Sequence, residues 1–207
     1  KNISSREFLL IVKELEILRQ ETEKLGVYVN LKFSEDSTNQ KALAEMSQAE
    51  SFLTKINNRL LFFTLWFKQL PESKINELIK ASGQYCYYFE SLKRTRKYTL
   101  KENEEKIINL KDNTGVSALN NLYNILTSGF EFSFKGKKRT QEEMATFVRS
   151  SNPKVREQAY RVLLGPFQKH KTIFGEIYKN IINDWREENI SLRGYKNPIN
   201  VRNEVND

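Results

Sequence analysis

Three kinds of side chain in this sequence could do chemistry: a thiol, an imidazole and clustered cations. Cys86 is the only cysteine and His170 the only histidine among 207 residues. A nucleophilic thiol needs a base within hydrogen-bond reach, and the one imidazole lies far away in sequence. Cys86 stands in the aromatic helical run Tyr85-Cys86-Tyr87-Tyr88-Phe89, where a packed thiol acts as a small hydrophobe. His170 falls on an apolar helical stripe and is read as a structural histidine. One imidazole cannot supply the usual zinc ligand set. No catalytic or metal-ligating residue, and no cofactor, is therefore assigned within this chain. A single cysteine allows no internal disulfide, which points to a reducing compartment.

The cations form two clusters, Lys93-Arg94-Thr95-Arg96-Lys97 and Lys135-Gly136-Lys137-Lys138-Arg139. Thirty-four basic against 26 acidic side chains leave a net charge of +8, which raises nucleic acid, anionic membranes and acidic peptides as partners. The first cluster ends a helix, where cations offset the dipole without any ligand, and the second is a turn. Acids are interspersed with bases along most of the chain, as on solvated helix faces. We read no nucleic-acid site and no membrane partner. The most apolar run, Leu60 to Phe67, is too short to span a bilayer, and Lys1-Asn2-Ile3 does not open a signal peptide.

The elements that must carry these residues are nearly all helical. Ser4 with Glu7 has capping-box spacing, and Phe8, Ile11, Leu15, Leu18, Thr22 and Leu25 follow three and four apart. A second helix from about Asp36 puts Ala42, Met46, Ala49, Leu53, Ile56, Leu60, Phe63, Phe67 and Leu70 on a four-three seam. Two such helices predict a long antiparallel hairpin, the stretch 27–33 being read as helix. From Leu60 to Phe67 apolar residues on every side, Phe62, Leu65 and Trp66 included, predict burial all round. Pro71 and Ser73 open a third helix, and Gly83 interrupts it. Thr99 with Glu102 predicts a capped helix to about Lys111, then a break at Asn113-Thr114-Gly115 and a helix from Ser117 to Thr127. Phe130, Phe132 and Phe134, alternating before Lys135-Gly136, predict a small β-hairpin around 130–139. Thr140 with Glu143 caps the next helix.

From Asn152-Pro153 one long C-terminal helix is predicted. Val155, Ala159, Leu163, Phe167, His170, Phe174, Ile177, Ile181 and Trp185 form its stripe, with a kink or break expected at Gly165-Pro166. The chain then runs through Ser191-Leu192-Arg193-Gly194-Tyr195 to Asp207 without a closing element. The fold class is mainly all-α, with a helical domain over 1–190 and the start of a joint to a missing domain over 191–207. Without that domain we expect 191–207 to be poorly anchored.

The residues at this joint carry a family resemblance. Asp184-Trp185-Arg186-Glu187-Glu188-Asn189, Leu192-Arg193-Gly194-Tyr195 and Val201-Arg202-Asn203 resemble the junction between the N-terminal and catalytic domains of the oligoendopeptidase F family of thimet-oligopeptidase-like zinc metallopeptidases. Leu31-Lys32-Phe33-Ser34-Glu35-Asp36 and Asn58-Arg59-Leu60-Leu61-Phe62-Phe63 resemble the same family. The resemblance implies a non-catalytic domain that walls a substrate channel, with the chain's own catalytic domain and short peptides as partners. Zinc belongs to the missing part, since two histidines four apart on a helix put both imidazoles toward the metal. Trp185, Arg193, Tyr195 and Arg202 are the candidates to face the channel or the joint. The alternative reading is a free-standing basic helical module that binds an acidic partner.

Overall fold

The structure, a computed structural model, describes residues 3–206, apart from the side chain of Val205. Lys1 and Asn2, where the expected first segment begins, and Asp207, where the expected joint ends, lie outside the described residues. The chain divides into two compact units. One holds the residues up to Thr114 together with those from Trp185 onward; the other is Gly115–Asp184. Among the described residues the fold is all-α apart from one two-stranded sheet. No helix among the described residues is long and apolar enough to cross a membrane.

In the first unit, α1 (Ser5–Glu35) opens with the predicted capping box. The Glu7 N–H donates to Ser4 Oγ at 3.2 Å and the Ser4 N–H donates to the Glu7 carboxylate at 2.8 Å. The helix continues through 27–33. α2 (Gln40–Gln69) starts four residues later than the expected Asp36. Asp36 ends α1 instead, its carboxylate accepting from the Thr38 N–H and hydroxyl, and Asn39 caps α2. The two helices pack as a hairpin whose seam is uneven. Val29, Phe33, Ala42, Met46 and Ala49 are buried at the turn end, Leu53, Ile56 and Leu60 are half-buried, and Phe63 and Phe67 are buried at the open end. Phe62 corrects the expectation of burial all round: it is 58% exposed, whereas Leu65 is buried. The elements packed on α2 cover only part of its circumference.

At the open end, α3 (Glu72–Ala81), a 3-10 turn (Gly83–Tyr85), α4 (Cys86–Thr95) and a second turn (Arg96–Tyr98) close over the hairpin. Phe8 lies 4.8 Å from Phe89 and 6.2 Å from Phe67, centroid to centroid, with Ile75 and Leu78 fully buried around them. Such a cluster concentrates apolar burial, about 1.5–3 kcal/mol for each large side chain. α5 (Glu102–Thr114) packs along α2. The predicted Thr99–Glu102 capping box is not formed. The Thr99 hydroxyl donates to the Thr95 carbonyl and accepts from Lys68 Nζ, and Glu104 takes the Lys101 N–H. α5 also runs on through Asn113 and Thr114, held to α2 by Thr54–Asn113 and Asn58–Asn109 hydrogen bonds, so only Gly115 breaks the helix.

In the second unit, α6 (Val116–Ser128) precedes strands β1 (Phe132–Phe134) and β2 (Lys137–Arg139). They pair antiparallel with Phe132 opposite Arg139. Lys135 and Gly136, at φ 52° and 71°, supply the two left-handed residues of a tight hairpin turn. α7 (Gln141–Val148) begins with the Thr140–Glu143 capping box and α8 (Pro153–Lys169) with the Asn152 cap. Phe132, Phe134, Met144 and Ala159 form this unit's core. The single long helix is corrected here to two. α8 runs through Gly165 and Pro166 and stops at His170, after which α9 (Lys171–Arg186) starts. His170 leaves helical geometry at φ −104°, ψ 19°, and its ring stacks on Phe130 with centroids 5.9 Å apart. The chain leaves the stripe through one π-helical turn (Glu187–Leu192) and ends in α10 (Pro198–Asn206).

Candidate functional site

The residues of the expected joint meet in the first unit, where the segment after α9 folds onto α5 and the turn before it. Arg193 is the centre. Its Nη1 and Nη2 donate to the two Glu105 carboxylate oxygens, each at 2.8 Å, and Nε donates to Glu188 Oε1 at 2.8 Å. Nη1 also reaches the Tyr98 carbonyl at 3.3 Å. Such a two-pronged pairing fixes direction as well as charge. Glu105 accepts the Leu100 N–H too, at 2.9 Å. Gly194 follows at φ 76°, a conformation that a side chain strains. That turn carries Tyr195 over Tyr98, ring centroids 3.5 Å apart and planes 19° from parallel. Tyr195 and Val201 are buried, and the Arg94 guanidinium meets Glu204 at 3.5 Å.

The electrostatics follow from this geometry. Burial pushes the Glu105 carboxyl up, but the hydrogen bonds from Arg193 and the Leu100 N–H outweigh it and hold the group below the usual carboxylate range. The hydrogen bonds of Glu105, ahead of opposing burial, raise the already high affinity of Arg193 for its proton. Lys68, beside them, is pushed down by burial against the pull of Glu105. Burial also pushes the Tyr195 hydroxyl up, with Glu204 adding to it. Arg193, with its charge met by two carboxylates, is a clamp rather than a chemical group waiting for a substrate.

Of the four candidates from the sequence, the structure brings Arg193 and Tyr195 together and turns both inward. Trp185 is half-buried, its carbonyl accepting from the Asn189 side chain at 2.9 Å, and Arg202 is exposed on α10. The expectation that 191–207 lacks anchorage is corrected by Arg193, Tyr195 and Val201, which seat the segment on the unit's own helices. Glu105, Glu188, Tyr98 and Lys68 escaped the sequence reading. Glu105 sits in the acidic first turn of α5, where carboxylates are ordinary partners of the helix dipole. Only Glu188, within the junction stretch already quoted, had a signal. Elsewhere, burial pushes the Cys86 thiol up, Glu90 adding to it, the opposite of what a nucleophile requires.

Residues 66–132, which include Lys68, Tyr98 and Glu105, match a family profile described as Oligopeptidase F. The chain is similar to the N-terminal region of that family. Its fold also matches the crystal structure of oligoendopeptidase F from Enterococcus faecium, with a TM-score of 0.73 at 18% identity over 93% of the chain. A protein assigned as a peptidase from Chlamydophila abortus matches with a TM-score of 0.58 at 17% identity, again over 93% of the chain. The chain spans only 39% and 34% of those two proteins. At such identities the likeness is one of fold. No curated protein sequence matches.

Proposed function

We propose that this chain is the non-catalytic N-terminal part of a zinc-dependent oligoendopeptidase that cleaves short peptides in the cytoplasm. In this reading residues 1–190 wall the substrate channel, and 191–207 begin the joint to a catalytic domain that is the chain's principal partner. The observation that carries it is the fold match over 93% of the chain to an oligoendopeptidase F, of which the chain spans 39%. The Arg193 clamp supports it, because a bidentate ion pair at the exit of a domain fixes the direction in which the chain leaves. Trp185, half-buried, and Arg202, exposed, then keep surface free for a neighbour. The zinc belongs to that catalytic domain in this reading, since the one histidine of this sequence has its ring against Phe130.

The test is the product of the whole gene, assayed with quenched fluorescent peptides. Short peptides should be cleaved, cleavage should stop with a chelator and return with zinc, and a folded protein of the same composition should survive. Chelator-resistant cleavage, or no cleavage of any short peptide by zinc-loaded protein, would contradict the reading.

A further inference from the structure

The aromatic run Tyr85–Phe89 takes no part in the joint, yet two of its rings line a cleft. Phe89 is buried in the core, whereas Tyr85 and Tyr88 are half-buried. With Val12, Leu15 and Phe63 they wall a cleft of about 390 Å³ between α1 and α4, a size that takes a side chain or a small ligand. The rim is polar. Tyr85 Oη donates to Glu16 Oε2 at 2.5 Å, and the second carboxylate oxygen of Glu16 has no hydrogen-bond partner among the described residues. Glu23, about two helical turns further along α1, has no hydrogen-bond or ion-pair partner among the described residues. Arg19 is the rim's cation, and it lies over the Tyr88 ring at 5.6 Å with Nη2 3.3 Å from the Tyr88 hydroxyl. The rim thus carries two carboxylates to one cation, in a chain of net charge +8.

We propose that this cleft binds an arginine side chain of a peptide, its stem along Val12, Leu15 and Phe63 and its guanidinium against Tyr85, Glu16 and Glu23. The aromatic walls suit a flat, weakly hydrated cation, which stacks on ring faces where an ammonium does so less well. Arg19 on Tyr88 is an instance of that contact at the cleft itself. An acidic side chain would meet two carboxylates, and a neutral apolar one would desolvate them without supplying a partner. The assignment stands whether or not the chain belongs to a peptidase.

The experiment is an amide-resolved NMR titration of the 207-residue chain with N-acetyl-arginine amide, set against the citrulline, norleucine and glutamate analogues. Saturable shifts should appear over 12–23 and 85–89 with arginine, and citrulline should bind about fivefold more weakly, the upper range for an exposed ion pair. Glu23→Gln lies on the exposed rim, outside the core, so it should weaken arginine by a similar factor and leave the rest of the spectrum unchanged. Citrulline or norleucine binding as tightly as arginine, shifts confined to other residues, or no saturable shift would overturn the proposal.

Discussion

At the residue scale the structure turns on one guanidinium. Arg193 and Glu105 expose only 17% and 11% of their side chains. Removing one member of such a pair leaves the other poorly solvated and unpaired. Arg193→Ala should therefore lower the unfolding free energy by about 3 kcal/mol, read as a shift in the urea midpoint at constant slope. Arg202→Ala, on the exposed face of α10, should leave it within about 0.5 kcal/mol. Glu105 also predicts a pH dependence. Its folded pKa is depressed below the ordinary value, so its contribution is present above the unfolded carboxylate pKa. It is lost as the pH falls through the folded one. Urea stability of the parent chain should fall on acidification below about pH 4.5 more steeply than that of Glu105→Gln. Parallel curves for the two proteins would show that Glu105 gains nothing from Arg193.

At the scale of elements the sharpest contrast lies within five residues of α2. Phe67 is 0% exposed at the centre of the aromatic cluster, and Phe62 is 58% exposed. Phe67→Ala should cost about 3–5 kcal/mol, and Phe62→Ser should cost less than about 0.5 kcal/mol, by thermal or urea unfolding. Comparable losses would mean that α2 is buried all round after all. Phe62 also marks where sequence legibility stopped. Caps at Ser4, Thr140 and Asn152 were legible because each depends on residues within one turn. The hairpin seam was legible because its period repeats through thirty residues. Which side of α2 stays bare depends on where α4 and α5 come to rest, and periodicity carries no such term. The same holds for the Thr99 hydroxyl, which local spacing assigned to a cap and Lys68 drew away. Pro166 was overestimated for a different reason. A helix tolerates one missing N–H, and the break fell at His170, where the imidazole finds the Phe130 ring. Glu105 was illegible because its partner lies 88 residues away.

At the scale of the whole molecule the segment after α9 is clamped onto the first unit. The Arg193 N–H donates to the Glu188 carbonyl at 2.9 Å and the Tyr195 N–H to the Asn189 carbonyl at 3.1 Å. Both amides should exchange slowly with solvent in the isolated chain, while those of Lys196 and Asn197, with exposed side chains between the clamp and α10, exchange fast. Uniformly fast exchange over 191–206 would mean that the clamp does not close in solution. The proposed function implies a zinc peptidase domain encoded beyond Asp207. It is tested most directly by sequencing the gene beyond the codon for Asp207. The account predicts an open frame encoding His-Glu-x-x-His, with a further Glu ligand on a later helix, because a zinc site of this kind needs two imidazoles on one helical face and a third protein ligand. A stop codon shortly after Asp207, or a continuing frame without that motif, would contradict it.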